Sequence, residues 1–193
     1  MTVSQALAVG YQWGMYQHEA EIRALCDLLA THRARSVIEI GCHRGGTSAL
    51  WCALVDGLVV GVDLPDGRWG GIGVPAADLR DRNLIEKWPH FRPVRGDSHD
   101  FETVTAVENV LAGTLVDFLF IDGDHSLQGV WTDFDLYKRF VRPGGLIGFH
   151  DIIDTERHRN DGVEVPKFWN ALEGRKVVFN DNQGWGGIGV LYV

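Results

Sequence analysis

Four apolar runs govern what this chain can become: VIEI (37–40), LVVGVD (58–63), VDFLFID (116–122) and LIGFHD (146–151). They do not alternate between polar and apolar residues, as expected of parallel strands covered by helices on both faces. Helical stripes lie between them. Ile22, Leu25, Cys26 and Leu29 form one stripe ahead of the first run. Leu127, Val130, Trp131, Phe134, Tyr137 and Val141 form a longer one at spacings of three and four, between the third and fourth runs. Ser126 is the expected N-cap of that helix, with Pro143 and the glycines after it as its end. A further strand is expected at 91–95, where Pro93 has no N–H to give a ladder and so predicts an edge.

Strands alternating with helices call for right-handed crossovers, hence a Rossmann-like, doubly wound α/β sheet. The C-terminus breaks the rhythm. KVVF (176–179) and GIGVLYV (187–193) are separated only by NDNQGWG, too short for a crossover helix, so they predict an antiparallel hairpin closing a mostly parallel seven-stranded sheet. The 193 residues are read as one domain, with a helical cap over 1–35 and a core over 36–193.

A net charge of -8 excludes nucleic acid as the main partner, because phosphate binding needs clustered Lys and Arg. A small molecule is the expected partner, and oligomeric state, a homo-oligomer included, is left open. Cys26, Cys42 and Cys52 are odd in number and form no C-x-x-C pair, which reads as reduced thiols in a cytoplasmic protein. The opening residues show no basic leader pattern, and no apolar run nears the ~20 residues that span a bilayer, so neither export nor membrane insertion is expected.

The acids carry the chemistry. Glu39, Asp63, Asp97, Asp122 and Asp151 each fall at or near the carboxyl end of an expected strand, the rim where open α/β sheets bind ligands. Five acids on one rim repel one another unless a cationic or hydroxyl-rich ligand, or a metal ion, shares the site. The segment EIGCHRGGTS (39–48) follows the first strand and opens a helix. Its Gly41, Gly45 and Gly46 allow a sharp turn and close approach of a ligand, with Thr47 or Ser48 as hydroxyl contacts. A plain strand-to-helix turn fits the glycines equally well. The spacing is not G-x-G-x-x-G, which counts against a dinucleotide. Asp63, just over twenty residues past the first glycine, is placed for a ribose, and this alone does not choose between adenosine cofactors.

The ordered series EIGCHRGG, GVDL, GDS (96–98), VDFLFIDGDH and RPGGLIGFHD resembles the class I S-adenosylmethionine-dependent methyltransferases, in the branch of macrocin O-methyltransferase and cephalosporin-hydroxylase-like proteins. The likeness runs from about Ser36 to the C-terminal hairpin. It implies that Glu39, Gly41 and Gly45 hold the methionine part of S-adenosylmethionine, that Asp63 holds the ribose, and that Asp97 and Ser98 border adenine, with Asp122 on the same rim. It also implies a divalent metal, magnesium, manganese or another transition ion, among Asp122, His150 and Asp151. His150 stands where an acid is common, and imidazole suits zinc, iron or nickel better than magnesium. An acidic rim without metal is the alternative. His125 matches the histidine that some relatives use as general base, and an imidazole suits removal of a hydroxyl proton. His125 and His150 are therefore the candidate catalytic residues.

The implied reaction is O-methylation of a hydroxyl on a sugar or other natural product. An NAD-dependent oxidoreductase and a non-catalytic S-adenosylmethionine-binding module are the competing readings. Two segments are expected as loops over the site: 65–75, where Trp69 is a candidate stacking ring, and 154–162, with Arg157, His158 and Arg159 facing an anionic acceptor or solvent. The aromatic stretch at 11–18 is expected either to cap the acceptor pocket or to pack on the sheet edge. The hexapeptide WGGIGV occurs at Trp69–Val74 and again at Trp185–Val190, which reads as coincidence.

Overall fold

The computed structural model describes residues 1–67 and 71–193. The stacking role expected of Trp69 lies outside the described residues. Seven strands, β1 (Val37–Ile40), β2 (Val59–Asp63), β3 (Phe91–Arg95), β4 (Val116–Ile121), β5 (Val141–His150), β6 (Lys176–Phe179) and β7 (Ile188–Tyr192), form one sheet in the order β3-β2-β1-β4-β5-β7-β6. The first five run parallel, while β7 lies antiparallel to both β5 and β6. The expected hairpin is present, and β7, not β6, is the strand that joins the parallel sheet. Pro93 sits on edge strand β3, as its missing N–H requires.

Helices α1 (Val3–Gln12), α2 (Glu19–Thr31), α3 (Gly46–Leu54) and α4 (Val74–Lys87) precede β3 in the chain; α5 (Phe101–Leu111), α6 (Leu127–Tyr137), α7 (Glu156–Asp161) and α8 (Val165–Ala171) follow it. Two apolar cores form, one on each face of the sheet. One joins Leu7, Ile22, Leu25, Leu29, Trp51 and Leu84 to the sheet. The other joins Val107, Val130, Phe134, Phe168 and their neighbours to its opposite face. Because both faces are covered, the inner strands are buried at nearly every position, which is why their sequences do not alternate.

Ser126 caps α6 as expected, its side chain accepting from the Gly129 N–H. The end of that helix differs from expectation. Helix α6 stops at Tyr137, a 3-10 turn follows over Lys138–Phe140, and Val141 already pairs with Val116 in β5. Pro143 and its glycines do not end the helix; they fill an irregularity inside β5, where the register shifts before pairing resumes at Leu146. Segment 154–162, expected as a loop, contains α7, and α4 begins at Val74 within the other expected loop. The last residues of the two hexapeptide copies differ in structure: Val74 opens a helix and Val190 lies in β7.

Connections from β1 lead one way to β2 and β3, while β4 and β5 lie on its other side. The carboxyl ends of β1 and β4 therefore mark the point where strand order reverses, the usual ligand crevice of such sheets. Gly41, just past β1, has φ +89, and a Cβ there would overlap the carbonyl oxygen of Asp122 just past β4. Only glycine lets these two strand ends meet.

Candidate active site

Two cavities open along this rim. The first, about 320 Å³, is lined by Gly41, Asp63, Leu64, Asp97, Ser98 and Asp122 among others. The second, about 400 Å³, is lined by Thr47, His125, His150, Asp151, His158 and Trp185 among others. They share Gly41, His43 and Asp122. A ligand in one cavity therefore meets a ligand in the other at the ends of β1 and β4.

The first cavity holds most of the expected cofactor contacts. Asp63 Oδ1 accepts from the N–H groups of Cys42 (3.1 Å) and His43 (3.3 Å), and Oδ2 accepts from the buried Arg80 guanidinium. The carboxylate is thus fixed by the turn it faces before any hydroxyl reaches it. Arg80 also donates to the His43 carbonyl (2.7 Å) and to Asp81 (2.8 Å), and Asp81 in turn pairs with Arg95 at 2.7 Å. This buried chain of charges braces the glycine turn from behind. Asp97 accepts from the His99 N–H at 2.9 Å, and the Ser98 carbonyl accepts from Tyr137 Oη at 3.0 Å.

Glu39, Ser48 and Gly45 are placed differently from the expectation. Glu39 is fully buried; Ser48 Oγ donates to one of its oxygens and Trp51 Nε1 to the other, at 3.1 Å. Neither Glu39 nor Ser48 is among the described residues that line these two cavities. They join β1 to α3 beneath the glycine turn, and burial pushes the Glu39 carboxyl up to about 8 against those two hydrogen bonds. Gly45 supplies the left-handed N-cap of α3 at φ +84, while Thr47 faces the second cavity.

At the second cavity two acids and three histidines converge. His125 lies between the acids, Nε2 at 3.3 Å from Asp122 and Nδ1 at 3.3 Å from Asp151. His150 Nδ1 is 3.4 Å from Asp122 and 3.0 Å from Asp151. His158 Nε2 is 3.2 Å from Asp151, and its Nδ1 is 2.6 Å from the Ile153 carbonyl, which makes Nδ1 the protonated nitrogen. Asp151 holds its place with φ +60, a left-handed backbone rare outside glycine. Burial opposes charge on both acids, but His150 above all outweighs it, holding Asp122 below the ordinary carboxylate range and Asp151 well below. Burial likewise opposes charge on His150 and His125, and the facing carboxylates prevail, holding His150 well above the usual imidazole range and raising His125. His158 is raised by Asp151.

Asp122, His125, His150 and Asp151 are therefore brought together as the sequence led us to expect. Gln17 and His158 complete the group and were not foreseen as members. Gln17 Nε2 donates to Asp122 at 3.0 Å from the aromatic N-terminal stretch, and Gly14, Met15, Tyr16 and Gln17 line the cavity. Residues 14–17 of that stretch thus lie at the cavity, while Trp13 packs on Trp88 with ring centroids 5.3 Å apart. Trp185 and its flanking glycines reach the same wall on the turn into β7; a Cβ at Gly186 would collide with Asp151. The three cysteines are free and buried. Among the described residues, no helix is long and apolar enough to cross a membrane.

A doubly wound sheet whose two cavities meet at the strand-order reversal defines the class: an α/β fold of the methyltransferase type. The protein has this fold in common with a putative caffeoyl-CoA O-methyltransferase from Staphylococcus aureus (TM-score 0.68, 13% identity, 98% of this chain and 91% of that one). The same holds for an O-methyltransferase from Bacillus cereus in complex with SAH (0.65, 17%, 99% and 90%) and for the MycE methyltransferase of the mycinamycin biosynthetic pathway, in complex with Mg, SAH and mycinamycin VI (0.64, 16%, 98% and 54%). Residues 38–152 match the methyltransferase domain family, more than half of the chain, and the protein belongs to that family. A local match at 54% identity over 39 residues links it to an uncharacterized protein, R132, of Acanthamoeba polyphaga mimivirus; it spans 20% of this chain and 18% of that relative's length.

Proposed function

We propose that this protein transfers the methyl group of S-adenosylmethionine to a hydroxyl oxygen of a small molecule, a sugar or other natural product. The observation that carries the reading is the junction of the two cavities at Asp122, with His125 beside it. The adenosine part would occupy the first cavity, its ribose at Asp63 and its base beside Asp97 and Ser98. The acceptor would occupy the second. Transfer from a sulfonium is an in-line displacement, so alignment of oxygen and methyl carbon supplies on the order of 7–11 kcal/mol in well-oriented systems. His125, made more basic by the two carboxylates beside it, would take the hydroxyl proton from its neutral form.

The same cluster fits a divalent metal by its donor set. His150 Nδ1 stands 3.4 Å from Asp122 and 3.0 Å from Asp151, and Asp122, His125 and Asp151 each offer an atom within 4.8 Å of the other two, so an ion would sit between the two carboxylates with His150 or His125 as its nitrogen ligand. A mixed nitrogen and oxygen set suits a transition ion. When bound, such an ion would lower the pKa of an acceptor hydroxyl. Two of the similar structures favour the reading: the Bacillus cereus O-methyltransferase is in complex with SAH, and MycE is in complex with Mg, SAH and mycinamycin VI.

Thermal shift separates this reading from its rivals. S-adenosylhomocysteine is expected to raise the melting temperature and NAD to leave it unchanged, since only a ligand selective for the folded state stabilises it. Stabilisation by NAD alone would overturn the proposal. A non-catalytic module would bind S-adenosylmethionine yet consume none with any hydroxyl acceptor or divalent ion.

A further inference from the structure

Beyond the cluster already described, His18, Glu21 and Asp181 form a separate group of potential ligands, each offering an atom within 4.8 Å of the other two. His18 precedes α2 as its N-cap residue, yet its side chain makes no capping bond. Glu21 lies in the first turn of α2, and Asp181 follows β6 on the turn into β7. Two distant parts of the chain thus meet here.

Glu21 is the unusual member. It is 1% exposed; one oxygen accepts from the Gly187 N–H at 3.2 Å, and Oε1 has no hydrogen-bond partner. An unsatisfied oxygen at that depth is costly unless something compensates it. His18 Nδ1 is also buried without a hydrogen bond, although Asp181 Oδ2 stands 3.2 Å away. That distance without hydrogen-bond geometry suits two ligands of one ion: bonds of about 2.0–2.2 Å in a tetrahedral shell put neighbouring ligand atoms roughly 3.3–3.5 Å apart. The bland account, a helix-dipole acid anchored to Gly187 in the field of His150 and beside a His18–Asp181 ion pair, explains Oε2 and Nδ1 and leaves Oε1 without a hydrogen bond.

We propose that His18, Glu21 and Asp181 bind a divalent transition metal ion, with zinc the best match to one imidazole and two carboxylates. The ion would be structural. It would tie the start of α2 to the turn between β6 and β7, which carries Gly184, Trp185 and Gly186 into the wall of the second cavity. The His18 ring already packs on Trp185, centroids 5.6 Å apart, so the ion would fix that indole. The proposal is independent of whether the cluster at Asp122 binds metal or transfers methyl groups.

The test uses the full chain with zinc chloride as the probe, in the wild type and in an Asp122→Asn/Asp151→Asn background that disables the other cluster. After dialysis against zinc and gel filtration, elemental analysis is expected to find one zinc per chain in that background, lost on adding Asp181→Asn or His18→Gln. Cobalt(II) is expected to give a visible absorption band that disappears with the same substitutions. Zinc should also slow amide exchange at Gly187. If the double background fails to fold, His18→Gln in the otherwise natural chain is expected to lower the zinc count by one. A zinc count and cobalt spectrum unchanged by both Asp181→Asn and His18→Gln would overturn the assignment, as would a folded background that binds no zinc.

Discussion

Replacing Glu39 by glutamine should stabilise this protein, by an amount that grows with pH. The carboxyl is fully buried between Ser48 and Trp51, and burial raises it from 4.5 to about 8. Between those values the folded protein keeps a proton that the unfolded chain releases, so stability is whole below pH 4.5 and declines as pH climbs toward 8. Each pH unit in that window costs about 1.36 kcal/mol. At pH 7, some 2.5 units above 4.5, the loss is about 3 kcal/mol; by pH 8 it approaches about 5 kcal/mol and then levels. Glutamine copies the neutral acid, its carbonyl accepting from Trp51 Nε1 and its amide donating to Ser48 Oγ, and it has nothing to ionise.

Urea unfolding of both proteins from pH 5 to 9 measures the difference directly, because every other titrating group cancels between them. We expect the curves to converge near pH 5 and part steadily above it, with glutamine the more stable. At pH 7 the gap corresponds to roughly 6–12 °C in Tm for a chain of this length. A glutamine variant less stable than the wild type at pH 8 would mean that an ionised Glu39 is holding its two donors, and the reasoning fails. A gap that does not change with pH would refute it equally.

Three further outcomes are expected. Arg80→Met leaves the Asp63 carboxylate buried without its guanidinium and Asp81 with Arg95 alone, and should cost about 3–5 kcal/mol by urea unfolding; a loss under about 1 kcal/mol would show that the charge chain does not brace the turn. Gly41→Ala forces a Cβ onto the Asp122 carbonyl at φ +89, so calorimetry should find S-adenosylhomocysteine affinity reduced at least tenfold, and wild-type affinity would contradict the close approach of β1 and β4. His125→Ala should lower turnover by about 10²–10⁴-fold while the dissociation constant for S-adenosylhomocysteine stays within a few-fold, and unchanged turnover removes His125 from the chemistry.

How much of this was legible in the sequence follows from the range of the interactions. The central strands were legible because burial on both faces imposes a local pattern, and Pro93 and Ser126 each report their own position, an edge and a helix start. The start of β5 was not, because Val141 continues the spacing of α6 while Pro143, Gly144 and Gly145 read as a stop. Only pairing with Val116 reveals it as a strand. Glu39 shows the same limit in chemistry. Its place in the strand was readable, and Ser48 and Trp51 were readable as neighbours on one face of α3. Which face of that helix meets which face of the strand is a tertiary fact, and it turns an expected ligand contact into a buried brace. The farther apart the partners, the less the chain discloses: Gln17 reaches Asp122 across 105 positions, and Glu21 reaches Gly187 across 166. Acids at strand ends could be assigned to one rim because topology alone puts them there. The polar groups that hold, neutralise or orphan those acids come from elements whose docking no local pattern encodes, so it is these partners, not the rim itself, that the structure contributes.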